Sequence, residues 1–202
     1  MIKIYHARRA RSARVIWLLE ELGVSYELEP LEFKLEVLRS PEYRQKHPLG
    51  LVPVVEVDGQ RIIESGAILE FLLEKHGAGR LAPPPATAER AEYLQWFHFG
   101  EASLAAHVSD ITRQRFGAGS ANPSADILAQ ARERMTDSLR LVEHTLNGRE
   151  YICGAAFSAA DIMVSYGIVM ARILRELPAE LPNVTAYLER LKGRPAYARA
   201  WA

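Results

Sequence analysis

The sequence predicts an α+β domain over residues 1–77, joined by a short linker at 78–87 to an all-helical domain at 88–202. Strand-like and helix-like hydrophobic rhythms alternate up to His76. The stretch GAGRLAPPPAT that follows holds two glycines and three consecutive prolines, which suit neither helix nor strand. Beyond it the β-type alternation stops and only long patterns of helical period remain.

Ile2 to Tyr5 is a short β-rich run. Ser12 to Leu22 shows helical spacing through Val15, Leu18, Leu19 and Leu22, with Gly23 as the stop. Val24 to Glu29 alternates as a second strand, with Tyr26 and Leu28 on one side, and Pro41 to Lys46 suits a short helix. Val52 to Val57 and Arg61 to Ile63 are strand-like and meet across Asp58-Gly59, a hairpin signal because this pair accepts the positive φ of a tight turn. Ser65 to His76 is helical on Ile68, Leu69, Leu72 and Leu73. The opening β-α-β suits a parallel unit, and the hairpin adds antiparallel strands beside it. In the second half the helical patterns cover Thr87 to Arg115, Ser124 to Leu146, Ser158 to Glu176, Asn183 to Lys192 and a short piece after Pro195.

The chain has 202 residues, enough for two small domains, and 49% are apolar. Lys plus Arg and Asp plus Glu are 25 each, so no overall field draws the chain to nucleic acid or membrane. Cys153 is the only cysteine, which rules out an intrachain disulfide. No apolar run reaches the roughly 18 residues of a membrane span, and the N-terminus lacks a secretory h-region. A cytoplasmic location is expected.

Four motifs carry chemistry or its structural alternative. In HPLGLVP, Pro53 stands at a strand start; as a trans loop proline it is merely a bend. As a cis bond at Val52-Pro53 it turns the Val52 N–H and C=O outward, where they pair an extended peptide ligand as an added strand would. Glu64-Ser65 opens a helix: Ser65 is a natural N-cap, while the same helix start suits an anion and Glu64 suits an ammonium group. HARRARSAR places Arg8, Arg9, Arg11 and Arg14 around Ser12, either as a solvated loop with Ser12 as N-cap or as a device that favours a thiolate. Phe157-Ser158-Ala159-Ala160-Asp161 reads as a capping box with a structural role. Cys153 lies in an apolar stretch and reads as a buried thiol. The six histidines show no metal-ligand spacing, and neither a metal nor a cofactor is expected.

Taken in order, ARSARVIWLLEELGVSYEL, HPLGLVPVVEVDG, IIESGAILEFL, YICGAAFSAADIMVSY and LPNVTAYLERLKGRPAYARA resemble the cytosolic glutathione transferase superfamily over nearly the whole chain. The resemblance implies a thioredoxin-like N-terminal domain, a helical C-terminal bundle, a homodimer, and glutathione as co-substrate. By that resemblance Val52 pairs with the cysteinyl backbone of glutathione, Pro53 is cis, Glu64 and Ser65 hold the γ-glutamyl end, and Arg11 lies close to the peptide. The family lysine that reaches the glycine carboxylate is Leu51 here, so that contact is absent or passes to an arginine of the 8–14 loop. Where a related subgroup reads Ser-Arg-Ser-x-Arg, this chain reads Ala10-Arg11-Ser12-Ala13-Arg14. That leaves Ser12 as the first candidate for thiol activation and Tyr5 as the second.

The implied activity is conjugation of the glutathione thiolate to a hydrophobic electrophile. Glutathione-dependent peroxide or disulfide reduction is the alternative within enzymes, and a non-catalytic ligand-binding role is the alternative outside them. Trp96, Phe97, Phe99, Leu104, His107 and Phe116 are candidates for the electrophile's surroundings. Gly66, Ala67, Glu70, Glu92, Tyr93 and Trp96 are candidate dimer contacts.

Overall fold

The alternation at the start of the chain builds a four-stranded mixed sheet in a computed structural model that describes residues 1–117 and 119–202. Strands β1 (Ile2–His6), β2 (Glu27–Pro30), β3 (Val54–Val57) and β4 (Gln60–Ile63) lie in the order β2-β1-β3-β4. β1 runs parallel to β2, with Ile4 opposite Leu28, and antiparallel to β3; the Asp58-Gly59 hairpin joins β3 to β4 antiparallel. Both expected arrangements are present.

Helix α1 (Ser12–Leu22) packs against β1 and against α4 (Ser65–His76), and both helices occupy the spans their periodicity predicts. Val15, Leu18, Leu19, Ile68, Leu69 and Leu72 are fully withdrawn from solvent. At about 25 cal/mol per Å² of apolar area removed from water, burying this seam stabilises the first unit. Two short helices, α2 (Leu35–Leu38) and α3 (Pro41–Arg44), lie between β2 and β3. α2 was not expected, because four residues are too few to show a helical period.

Three boundaries differ from expectation. β3 begins at Val54 rather than Val52, since Pro53 has no N–H to give to a ladder. β2 begins at Glu27 rather than Val24: the Tyr26 hydroxyl instead donates to Glu20 at 2.6 Å, and Leu28 on this edge strand is 42% exposed. The chain divides into Met1–Leu81 with Lys192–Ala202, and Ala82–Leu191. The C-terminal segment thus goes with the sheet. Its helix α10 (Pro195–Ala200) covers α1: the Tyr197 ring meets Trp17 edge-on at 5.1 Å, and Arg194 clasps the Glu21 carboxylate with two bonds of 2.7 and 2.8 Å.

In the second unit the long pattern from Thr87 forms one continuous run. It comprises α5 (Ala88–Phe99), a π-helical segment at Gly100–Ala105 and α6 (Ala106–Phe116), followed by α7 (Ala125–Thr145), α8 (Ala159–Ile173) and α9 (Pro182–Lys192). α8 is buried from Ala159 to Ala171 and forms the axis of this unit. Gly100 comes so near it that an added Cβ would stand 2.5 Å from the Met163 carbonyl carbon. Among the described residues no helix is long and apolar enough to cross a membrane.

The capping box at the start of α8 is present, and Asp161 does more than cap. It is 0% exposed and accepts from the Ile152 N–H (2.8 Å), the Ser158 N–H (2.8 Å), the Ser158 hydroxyl (3.0 Å) and the Tyr187 hydroxyl (2.8 Å). Burial pushes its pKa up, and the four donors oppose that shift. Nearby Cys153 is half-buried, with its thiol pushed up to about 12 mainly by burial, so it stays protonated and inert near neutrality. Asp161→Ala leaves these donors unsatisfied, each at a cost of about 1–3 kcal/mol. We expect at least about 3 kcal/mol of lost stability in urea unfolding, and a loss under about 1 kcal/mol would refute the hub.

Candidate functional site

The motifs of the first unit gather at the starts of α1 and α4 and at the loop before β3. Gly50 has φ +63°, and a Cβ there would stand 2.4 Å from the Leu38 carbonyl oxygen, so only glycine fits. The Tyr43 hydroxyl donates to the Leu51 carbonyl at 2.7 Å, the Leu49 N–H donates to His47 Nδ1 at 3.2 Å, and the Gly50 N–H donates to the His47 carbonyl at 2.8 Å. Burial lowers the His47 pKa, which keeps that acceptor nitrogen free of a proton. Fixed by these bonds, the chain enters the Val52-Pro53 peptide, which is cis. Among the described residues the Val52 N–H and C=O take no partner from the chain. Val52 itself is 8% exposed and stands just before β3.

Ser65 is not the N-cap it was expected to be. Glu64, not Ser65, is the N-cap residue of α4, and it holds φ 72° and ψ 109°, a region that costs a non-glycine residue about 1–3 kcal/mol. Ser65 is the first helical residue and is 3% exposed; its oxygen accepts from Arg14 Nη1 at 3.1 Å instead of from a helix amide. Ser12 repeats this arrangement. Arg11 is the N-cap of α1, and Ser12, 0% exposed, donates to the Ala7 carbonyl at 3.3 Å and pairs with His6 Nδ1 at 2.9 Å. Burial lowers the His6 pKa, so the imidazole is neutral near pH 7. Neither helix start is capped by a side chain, whereas Ser40 and Ser124 do cap α3 and α7. At α4 the partial positive end is left without a side-chain cap, whereas at α1 the Ala13 and Arg14 N–H groups already donate to the Ala10 and Arg11 carbonyls.

The arginines divide by burial. Arg8 and Arg9 are exposed, Arg11 is half-buried, and Arg14 is 1% exposed inside the fold. Arg14 stands four and eight residues before Leu18 and Leu22, so a cation inside the apolar stripe of α1 was the signal of its role. Ala10 packs in one cluster with Tyr5, Tyr43, Val52 and Val54. The position of the missing hydroxyl is thus beside Val52. The Tyr5 hydroxyl lies 3.3 Å from Glu56 Oε2, with the Lys46 ammonium 5.5 Å from the ring centroid, and Tyr5 is 7% exposed. Leu51 is 52% exposed.

The residues named for the electrophile separate within the helical unit. Trp96, Phe97 and Leu104 are 2%, 0% and 0% exposed and are core; Leu104 fills the space beside Gly167. Phe99 and His107 are half-buried, and Phe116 is 70% exposed. Tyr93, at 1%, and Trp96 are also too buried to be dimer contacts, because the apolar face of α5 is spent against α8.

The strain at Glu64 is testable. Glycine takes this conformation without penalty but gains freedom when unfolded, so Glu64→Gly should keep or raise the urea midpoint. A loss above about 1 kcal/mol would show that Glu64 is held by contacts rather than strained.

Comparison with known proteins agrees with this geometry. Residues 1–74 match the glutathione S-transferase N-terminal domain model, and residues 98–195 match the C-terminal domain model. The chain is 32% identical to glutathione S-transferase 3 of Schizosaccharomyces pombe, over 97% of this chain and 85% of that protein. It is 28% identical to a maleylacetoacetate isomerase of Rhizobium meliloti, over 96% and 92%. Its fold superposes on a theta class glutathione S-transferase of Xanthomonas axonopodis pv. citri, solved with glutathione bound, with a TM-score of 0.82, 27% identity and 98% and 96% coverage. Two family models that together match residues 1–74 and 98–195, with a relative 32% identical over 97% of the chain, show that the chain belongs to the cytosolic glutathione transferase superfamily.

Proposed function

We propose that this protein binds glutathione along Val52 and joins its thiolate to a hydrophobic electrophile. The observation that carries this reading is the open backbone of Val52, beside two helix starts that no side chain caps. The peptide's cysteinyl backbone adds to Val52 as a strand would, with Pro53 turning the chain at this point. The γ-glutamyl carboxylate takes the α4 start at Ser65, and its amine lies toward Glu64. Leu51 offers no charge to the glycine end. The sulfur attacks an electrophilic carbon: a C–S bond forms, and either a leaving group departs or, on addition, a proton comes from water. No covalent enzyme intermediate is needed. Holding both reactants together lowers the barrier by up to about 7–11 kcal/mol. Phe99, His107 and Phe116 remain the candidates for contact with the electrophile. Reduction of peroxides or disulfides draws on the same thiolate.

For thiol activation, the burial of both hydroxyls shifts the emphasis from a direct donor to the local field. Ser12 holds the 7–11 turn through Ala7 and His6, and the turn presents Arg8, Arg9 and Arg11 at the positive end of α1. Tyr5 is spent on Glu56. Titration of the thiolate absorbance of bound glutathione tests this. Arg11→Gln should raise the thiol pKa by about one unit and Ser12→Ala by less, while Tyr5→Phe leaves it unchanged. A rise in Tyr5→Phe alone would move the role to Tyr5. Bound glutathione with an unshifted thiol pKa and no turnover against electrophiles or peroxides would indicate a ligand carrier.

We also propose a homodimer. Gly66 and Ala67 at the start of α4 are small and at least partly exposed, which allows close approach of a second surface. Sedimentation at micromolar concentration should give twice the 22.6 kDa chain mass, and the monomer mass would refute it.

A further inference from the structure

We propose that Arg14 is a positioning residue that makes Ser65 a hydrogen-bond donor to the carboxylate of the bound ligand, and so sets the site's preference for a γ-glutamyl end with an intact α-carboxylate. The inference rests on the glutathione reading above. A serine hydroxyl both donates and accepts, and an uncommitted one turns either way. A guanidinium has five N–H donors and no acceptor. Because Arg14 Nη1 donates to Ser65 Oγ at 3.1 Å, the serine lone pair facing Arg14 is occupied and its own hydrogen must point elsewhere.

Burial makes this orientation firm. Arg14 is 1% exposed and Ser65 is 3% exposed, so water offers the pair little competition, and a charge-assisted bond is the stronger kind. Ser65 is the first residue of the twelve-residue helix α4, and no side chain caps that start. The hydroxyl hydrogen therefore adds to the amides of that turn, giving a site that only donates. Such a site accepts a carboxylate and rejects an amide or a hydrogen in its place, because each replacement leaves buried donors unpaired. Arg14 lies in the first turn of α1 and so ties the helix start nearest the thiol to the one nearest the γ-glutamyl group. A lysine would not substitute well, since its ammonium is a point charge on a flexible stem without the fixed fork.

Calorimetric binding of glutathione and of 4-aminobutanoyl-cysteinyl-glycine, which lacks only the α-carboxylate, tests the idea. The quantity read is the ratio of the two dissociation constants in wild type, Ser65→Ala, Arg14→Met and the double variant. Wild type should prefer glutathione by at least tenfold. Ser65→Ala and Arg14→Met should each reduce the ratio severalfold, and the double variant should reduce it no further, since both substitutions remove one device. An Arg14→Met protein that weakens both ligands equally and keeps the wild-type ratio overturns the inference, as does full additivity in the double variant. If Arg14→Met does not fold, Arg14→Lys decides: a ratio lowered severalfold supports the inference and an unchanged ratio overturns it. Failure of wild type to bind glutathione would instead overturn the function on which the inference rests.

Discussion

The hydroxyls of Ser12 and Ser65 are turned away from helix amides, and the arrangement of both helix starts depends on that diversion. A serine at a helix start is worth about 1 kcal/mol when it caps. Here Ser12 goes to Ala7 and His6, and Ser65 goes to Arg14. Neither helix start then receives a side-chain cap, and at α1 the Ala13 and Arg14 N–H groups bond back to the Ala10 and Arg11 carbonyls instead. The starts of α3 and α7 carry serine caps, while those of α2, α5 and α10 go without a side-chain cap, as α1 and α4 do.

The second constraint is the Leu38 carbonyl pressed against Gly50. It holds the loop before β3 at a backbone angle that only glycine tolerates, and Tyr43 ties the same loop down through the Leu51 carbonyl. Val52 then arrives beside Ala10 and Tyr5 with its polar groups still open. Tyr5 and Tyr43 are consequently framework. Their rings pack in one buried cluster with Ala10, Val52 and Val54, while their hydroxyls serve Glu56 and the loop. Strain at Glu64 fits the same pattern: its backbone leaves the helical region so that α4 starts abruptly at the ladder's end.

The helical unit is organised from its own center. Asp161 gathers Ile152, Ser158 and Tyr187, and α8 buries nearly every residue around it. The π segment brings Gly100 against α8, which draws Phe97 and Leu104 inward as core. Aromatic residues on a helix are ambiguous in one dimension. Which of them line a surface depends on what the helix packs against, and here Phe99, His107 and Phe116 are the ones left outside the core.

Local order was legible in the sequence because it is set by neighbours within a few residues. The spans of α1 and α4, the Asp58-Gly59 hairpin, the capping box at Ser158 and Asp161 and the proline at a strand start all express periodicity or backbone chemistry that a single segment carries. The family motifs followed from the same stretches. What the sequence could not decide was where each hydroxyl and arginine would point: the Arg14–Ser65 bond joins residues 51 positions apart, and Ser12 turns back to Ala7 and His6 only because the 7–11 turn folds over it. Ser12 and Ser65 read as caps until the fold gives them other partners. Arg14 reads as a loop cation until α4 comes alongside α1. The chain's last residues read as part of the helical bundle until Tyr197 covers Trp17 and Arg194 reaches Glu21. Segments determine their own conformation through local sterics and burial pattern, but a polar side chain's role belongs to whichever donor or acceptor the tertiary fold brings within about 3 Å.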